Sequence, residues 1–279
     1  MKDFKHTTGD LIKTNVVPLR LLRSYAGQAN HISSLLFAWR PFLDCLWGAI
    51  AGAVAKGSDK KLTNAPKATI WRKQIQPTLD WITSLLEHVA GSLTREWHFA
   101  AYLQDAWELH FILDASPYGL GGVLIMNGQF IAWFSSPLSR FDECIHDRRI
   151  GNSRGQQLWE GLAILVALNL WKSHWQRRRA ALAIKSDNIA ALTLAGRLKA
   201  KGERTLVGKE IALLYAESSF EPKLVEHVPG VMNGFPDILS RMEDPNRNHS
   251  FPQHLRSVPE SICPVRDATY YKCLAKHVE

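Results

Sequence analysis

The chain has 279 residues, 46% of them apolar and 22% charged, a balance that excludes a disordered or fibrous protein. Its longest apolar run, LWGAIAGAVA from Leu46 to Ala55, falls far short of the roughly 20 residues of a membrane crossing, and the amino terminus MKDFKHTTGD is charged from the start. An intracellular protein without a membrane partner is expected, nucleus and cytoplasm being undecided. Lys and Arg outnumber Asp and Glu by 34 to 26, and residues 1–100 hold 13 basic against 7 acidic, which tilts the first third toward a polyanion. Four scattered cysteines, Cys45, Cys144, Cys263 and Cys273, form no C-x-x-C pair, which disfavours a disulfide framework and structural zinc. Cys144 and His146 make a lone C-x-H, not a ligand set.

Apolar spacing predicts short packed helices up to about residue 100: one through Leu19, Leu22, Tyr25 and Ala26, continued by Ile32, Leu35, Leu36 and Trp39, then another over Phe42–Ala55 after a break at Arg40-Pro41. Gly57–Lys67 reads as a basic, turn-rich connector, followed by a helix from Thr78 to about Val89, ending near Gly91. At Trp107 the period changes to two: Trp107, Leu109, Phe111 and Leu113 alternate with Glu108, His110, Ile112 and Asp114. Gly119–Met126 and Gln129–Ser135 flank Asn127-Gly128, a hairpin loop, giving three antiparallel strands in sequence order.

A long helix is predicted from about Gly155 to Trp175, with Glu160 on its buried stripe beside Ala163 and Ile164. Ala181–Ser186 is a strand ending at Asp187-Asn188, before a helix through Ala195. A basic connector (Arg197, Lys199, Lys201, Arg204, Lys209) leads to a helix ending near Ser218. A short strand covers Leu224–Val228, closed by Pro229-Gly230. Asn233, Pro236 and Asp237 read as the start of a short helix to about Met242, with Asn233 as its cap. Residues 243–279 are polar, proline-punctuated and without a motif, and their role is open.

Four acids stand in special places: Asp114 in a strand, Glu160 in a buried helical stripe, Asp187 at a strand end and Asp237 in a first helical turn. Singly, each has an ordinary account as a cap, a helix-start acid or a strand end. Gathered together, they would repel one another unless cations neutralised them.

DASPYGLGGVL from Asp114, the Glu160 helix, SDN at Ser186–Asn188 and HVPGVMNGFPDILSR from His227 to Arg241 resemble the ribonuclease H domain of retroelement reverse transcriptases over residues 105–242. The segment from Leu22 to Ile50 is similar to the helical thumb that precedes that domain, which divides the chain into a helical region at 1–100, the ribonuclease H-like domain and the segment 243–279. The resemblance implies a mixed α+β fold, a five-stranded sheet flanked by helices after an all-helical segment. It also implies a metal-dependent endonuclease that cuts the RNA strand of an RNA/DNA hybrid, with that hybrid and a polymerase portion of a reverse transcriptase as partners. Asp114 would bridge two Mg²⁺ ions, which Mn²⁺ could replace, Asp237 would help hold one, and Glu160 with Asp187 the other. Pro236 departs from the small residue common before the last Asp, and His227 is read as structural. Adjacent aspartates are absent, so no polymerase activity is expected.

Lys199, Lys201 and Arg204 are the candidate phosphate contacts, with Lys172 and Arg177–Arg179 open to the same weighing against plain solvated surface. The alternative is an inactive ribonuclease H-like module that binds nucleic acid or a protein partner. A transposase or integrase would instead carry a late Glu, where this chain has Asp237.

Overall fold

The computed structural model describes residues 2–56, 68–89, 107–176, 180–200, 202–218, 224–227, 233–247 and 250–275. The expected connector at 57–67, Gly91, residues 177–179, Lys201 and the strand stop at 228–230 lie outside them. The chain divides into two units, Met1–Thr94 and Arg95–Glu279. Among the described residues no helix is long and apolar enough to cross a membrane.

The first unit is helical, with one addition. Helix α1 (Lys2–Lys13) buries Phe4, Thr8 and Leu11, four and three residues apart, and so forms an apolar stripe in a charged helix. Phe4 stacks on Tyr25 of α2 (Leu19–Leu35) at 4.9 Å, and Thr8 Oγ1 meets the Tyr25 hydroxyl at 2.9 Å. Between these helices β1 (Val16–Pro18) pairs antiparallel with β2 (Thr69–Trp71), so the segment is not purely helical; β-branched residues at Val16, Val17, Thr69 and Ile70 account for the ribbon. Leu35 is 79% exposed, because α2 ends there rather than continuing its stripe. Helix α3 (Arg40–Lys56) starts after a short 3₁₀ turn, with Pro41 tolerated in its first turn. Helix α4 (Gln76–Leu86) ends before Val89 because His88 turns left-handed, φ 59°.

In the second unit β3 (Trp107–Ala115), β4 (Gly119–Met126) and β5 (Gln129–Pro137) form the expected antiparallel meander. Asn127 and Gly128 both have positive φ, as a two-residue hairpin with right-handed twist requires. After α5 (Arg140–His146), α6 (Gln156–Leu170) and the short α7 (Lys172–Trp175), β6 (Ala180–Ser186) pairs parallel to β3. Then come α8 (Ile189–Arg197), α9 (Thr205–Glu217) and β7 (Leu224–His227), parallel to β6. The sheet order is β5-β4-β3-β6-β7, a mixed five-stranded ribonuclease H-like fold. The single long helix expected over 155–175 is interrupted at Trp171, whose ring packs edge-on against Phe111 and Phe134.

The last helix of the sheet region, α10 (Gly234–Ser240), lies on β4, β3 and β5. It can do so because β4 carries glycines: a Cβ on Gly121 would sit 2.5 Å from the Ser240 backbone N and 2.6 Å from the Pro236 carbonyl. Ser116 and Ser135 hydroxyls donate to the carbonyls of Ser240 and Leu239, satisfying the helix's carboxyl end.

Residues 250–275 form a strap over this unit. Leu255 joins Val123, Trp133 and Leu239 in a core cluster, flanked by Phe251 and Val258. Along edge strand β5, the Trp133 N–H donates to the Pro259 carbonyl, and Ser261 N–H donates to that of Trp133. Arg266, 4% exposed, donates from Nε and one terminal nitrogen to the two carboxylate oxygens of Asp142 (2.8 and 2.9 Å). Asp142 also closes a capping box with Ser139 at the start of α5. The His146 ring meets the Tyr271 hydroxyl at 3.0 Å, and in the short α11 (Lys272–Ala275) the Cys273 N–H donates to buried Glu210.

Candidate functional site

Parallel pairing brings the carboxyl ends of β3 and β6 to the same edge of the sheet. Ile112 lies opposite Lys185, so the register carried two residues further aligns Asp114 with Asp187. The alternation in β3 sends Phe111 to Trp171 on one face, while Ile112 joins the Leu239 cluster and Asp114 bonds to Ser240 on the other. Glu160 arrives on α6, whose start is tied to the strand end: Gln156 Nε2 donates to the Ala115 carbonyl and, at 3.0 Å, to Glu160 Oε1.

One carboxylate oxygen from each of Asp114, Glu160 and Asp187 lies within 4.8 Å of the others. Asp114 and Glu160 are 5% and 3% exposed. Asp187 is not the cap of α8, because the Asn188 side chain accepts the N–H groups of Ala190 and Ala191. Burial, reinforced by the charges of Asp187 and Asp237, pushes Asp114 up to about 7 against the opposing pull of the Ser240 hydrogen bond and Arg241. Burial, with Asp114 and Asp187 nearby, holds Glu160 well above the usual carboxylate range, although Gln156 pulls the other way. Three hard oxygen donors crowded in a low-dielectric recess fit a divalent ion such as Mg²⁺ or Mn²⁺.

Asp237 stands apart from this trio. It lies four residues before Arg241 on α10, and its Oδ1 accepts the Arg241 Nε–H at 2.5 Å. Its charge still reaches Asp114. Pro236 fits the first turn of α10, and the Asp237 N–H still donates to the Asn233 carbonyl. Asn233 precedes the helix but its side chain does not cap it; Nδ2 donates instead to Asp114 Oδ1 (3.2 Å) and the Leu113 carbonyl. Ser240 Oγ donates to Asp114 Oδ2 at 2.6 Å. His227 sits beside the site, one ring nitrogen 3.0 Å from the Asp187 carbonyl oxygen.

Of the basic candidates, Lys199 is exposed, and Arg204 is half-buried in the 3₁₀ turn Gly202–Arg204. Between them Glu203 pairs with Arg148, tying the connector to the loop after α5. Lys201 lies outside the described residues. The supporting residues Gln156, Ser240 and Arg241 were not singled out by sequence reasoning, and Asn233 was read only as a helix cap. Two have a visible signal: Gln156 is four residues before Glu160 and Arg241 four after Asp237, the spacing at which helical side chains meet.

No protein-family model matches the chain, and no curated protein does. Among solved structures it is similar to ribonuclease H1 from the halophilic archaeon Halobacterium salinarum NRC-1, at 15% identity over 48% of this chain and 92% of that one, TM-score 0.34. It is also similar to a foamy viral protease-reverse transcriptase in complex with an RNA/DNA hybrid, at 16% identity over 91% of this chain, TM-score 0.29. The chain spans 29% of that viral protein. Both scores are low, and the ribonuclease H-like assignment of the fold rests on the strand order and pairing of the sheet itself.

Proposed function

We propose that the chain is a metal-dependent endonuclease that cuts the RNA strand of an RNA/DNA hybrid, leaving 5′-phosphate and 3′-hydroxyl ends, and that it derives from the carboxyl-terminal part of a retroelement reverse transcriptase. The observation that carries this is the trio of buried Asp114 and Glu160 with the more open Asp187, their oxygens within 4.8 Å, where the carboxyl ends of two parallel strands meet a helix in a ribonuclease H-like sheet. These three, with Asp237, would hold two Mg²⁺ ions, whose chemistry is Lewis-acid neutralisation of charge on the entering and leaving oxygens of a phosphodiester. The protein's own groups supply the preorganisation. Ser240 and Asn233 fix both oxygens of Asp114, Gln156 fixes Glu160, and Asn188 takes over the helix cap so that Asp187 is left to the site. Lys199, Lys201 and Arg204 would contact duplex phosphates, and the 2′-hydroxyl of RNA would separate a hybrid from DNA. A polymerase portion is the proposed protein partner, since this chain has no adjacent aspartates of its own.

The test is cleavage of a labelled RNA/DNA hybrid with Mg²⁺ or Mn²⁺ by protein purified free of host nuclease. Cutting of the hybrid, sparing of double-stranded DNA and loss of cutting in Asp114→Asn and Asp187→Asn are expected. Equal cutting of both duplexes, or full activity in either variant, defeats the reading. A second reading, an inactive hybrid-binding module, is favoured by the Asp237–Arg241 ion pair, which occupies the fourth carboxylate. Hybrid affinity without cleavage at any divalent concentration would select it.

A further inference from the structure

We propose that Arg241 is a resident counter-ion that competes with divalent metal for Asp237, so that filling the site requires this ion pair to open. The inference rests on the metal-site reading above. Its geometry is specific: Arg241, at the carboxyl cap of α10, follows Asp237 by four residues, its Nε–H is on Asp237 Oδ1 at 2.5 Å, and Asp237 lies outside the trio formed by the other three acids. The pair sits at the edge of the site, Asp237 about a third exposed and Arg241 about a quarter, so the carboxylate has room to exchange partners.

The charges argue the same way. Three acids converge at one sheet edge, the charge of Asp237 reaches Asp114 from beside them, and Arg241 interacts with both Asp114 and Asp237. Without metal, it offsets part of the repulsion among them. With metal, the same positive charge and the same hydrogen bond oppose loading, because Asp237 cannot direct one oxygen to an ion while that oxygen holds the guanidinium. Arg241 therefore acts through Asp237 as a positioning residue. It sets the concentration at which the site fills.

The experiment measures Mg²⁺ binding to the metal-stripped full chain by calorimetry and by the Mg²⁺ concentration at half-maximal thermal stabilisation. Arg241→Gln is expected to bind Mg²⁺ about two- to fivefold more tightly, the upper part of the range for loss of one partly exposed ion pair. In an Asp237→Asn background the same change should alter affinity by less than about twofold, because the competitor no longer has its carboxylate. A residue with a purely structural role would weaken binding when removed. Should Arg241→Gln fail to fold, the wild-type chain still decides: the ¹⁵N resonance of the Arg241 Nε–H, assigned by its absence in Arg241→Lys, should move toward the free-guanidinium position as Mg²⁺ saturates the site. Mg²⁺ affinity unchanged or weaker in Arg241→Gln, or an Nε–H signal unmoved at saturation, overturns the inference while leaving the metal site standing. Absence of Mg²⁺ binding to the wild type would instead defeat the metal-site reading, and the inference with it.

Discussion

Asp114 carries an internal conflict: two side-chain donors, Ser240 and Asn233, favour its ionised form, while burial and two neighbouring acids oppose it. The result, about 7 instead of about 3.8, has a definite sign for stability. A carboxyl raised in the folded state binds its proton there more tightly than in the unfolded chain. Its contribution is complete below pH 3.8 and is lost as pH rises through 7, a loss of up to about 4 kcal/mol at 1.36 kcal/mol per unit. Glu160 shifts in the same direction. His146 works against both: burial lowers it to about 4, so its contribution is present above 6.5 and is lost as pH falls from there toward 4. Subtracting the melting temperature in chelator from that in Mg²⁺ cancels whatever ion binding leaves unchanged, and His146, bonded to Tyr271 and not among the three clustered acids, is expected to fall in that part. That difference should widen steadily from pH 5 to pH 8. A difference flat in pH would mean that ion binding and these carboxyls are not linked. Asp114→Asn should abolish cleavage and yet leave the metal-free chain at pH 8 no less stable than the wild type, since it removes a buried charge.

Helix α10 is the element on which the site turns, because it carries Asp237 and Ser240, is preceded by Asn233 and is followed at once by Arg241. Its seat on the sheet depends on Gly119 and Gly121. Gly121→Ala would place a methyl within 2.5–2.6 Å of backbone atoms in α10, which cannot yield as a side-chain tip would. A loss of about 1–3 kcal/mol is expected in denaturant titration, together with a larger loss of cleavage than of stability, because the helix must lift away from Asp114. Unchanged stability would show that α10 sits further from β4 than its glycines imply. Much of this region was legible in sequence: the period-two pattern set the face of Asp114, Asn127-Gly128 set the hairpin, and the strand ending at Ser186 set Asp187 at the sheet edge. The diversion of Asn233 from cap to Asp114 was not, since an Asn before a helix reads locally as a cap and only the tertiary approach of β3 offers it another partner. The Arg241 pairing escaped for a different reason: an i, i+4 acid–base pair looks like ordinary surface helix chemistry until the other three acids are placed beside it.

At the scale of the second unit, the strap from 250 to 275 changes what the minimal ribonuclease H-like unit is. Its contacts come from single residues at irregular spacing, Leu255, Arg266 and Tyr271, so no periodicity announced them. Arg266→Ala would leave Asp142 charged and buried without its guanidinium, a loss of about 3–5 kcal/mol, whereas Arg256→Ala on an exposed part of the same strap should change stability by less than about 0.5 kcal/mol. Equal effects in the two variants would mean that the strap is not anchored where the structure puts it. A chain stopped at Met242 should aggregate or fail to fold, because Trp133 would lose both Leu255 and its edge bonds along β5. The buried pair of Asp142 and Arg266 also sets a clock during synthesis. The two residues lie 124 positions apart, and at about 5–20 residues per second roughly 6–25 s pass between their additions. For that interval the nascent sheet has a carboxylate with no guanidinium to meet it and an edge strand with no cover. Completion of this unit therefore waits until the strap has emerged from the ribosome, and the chain is most open to chaperones and proteases just before then.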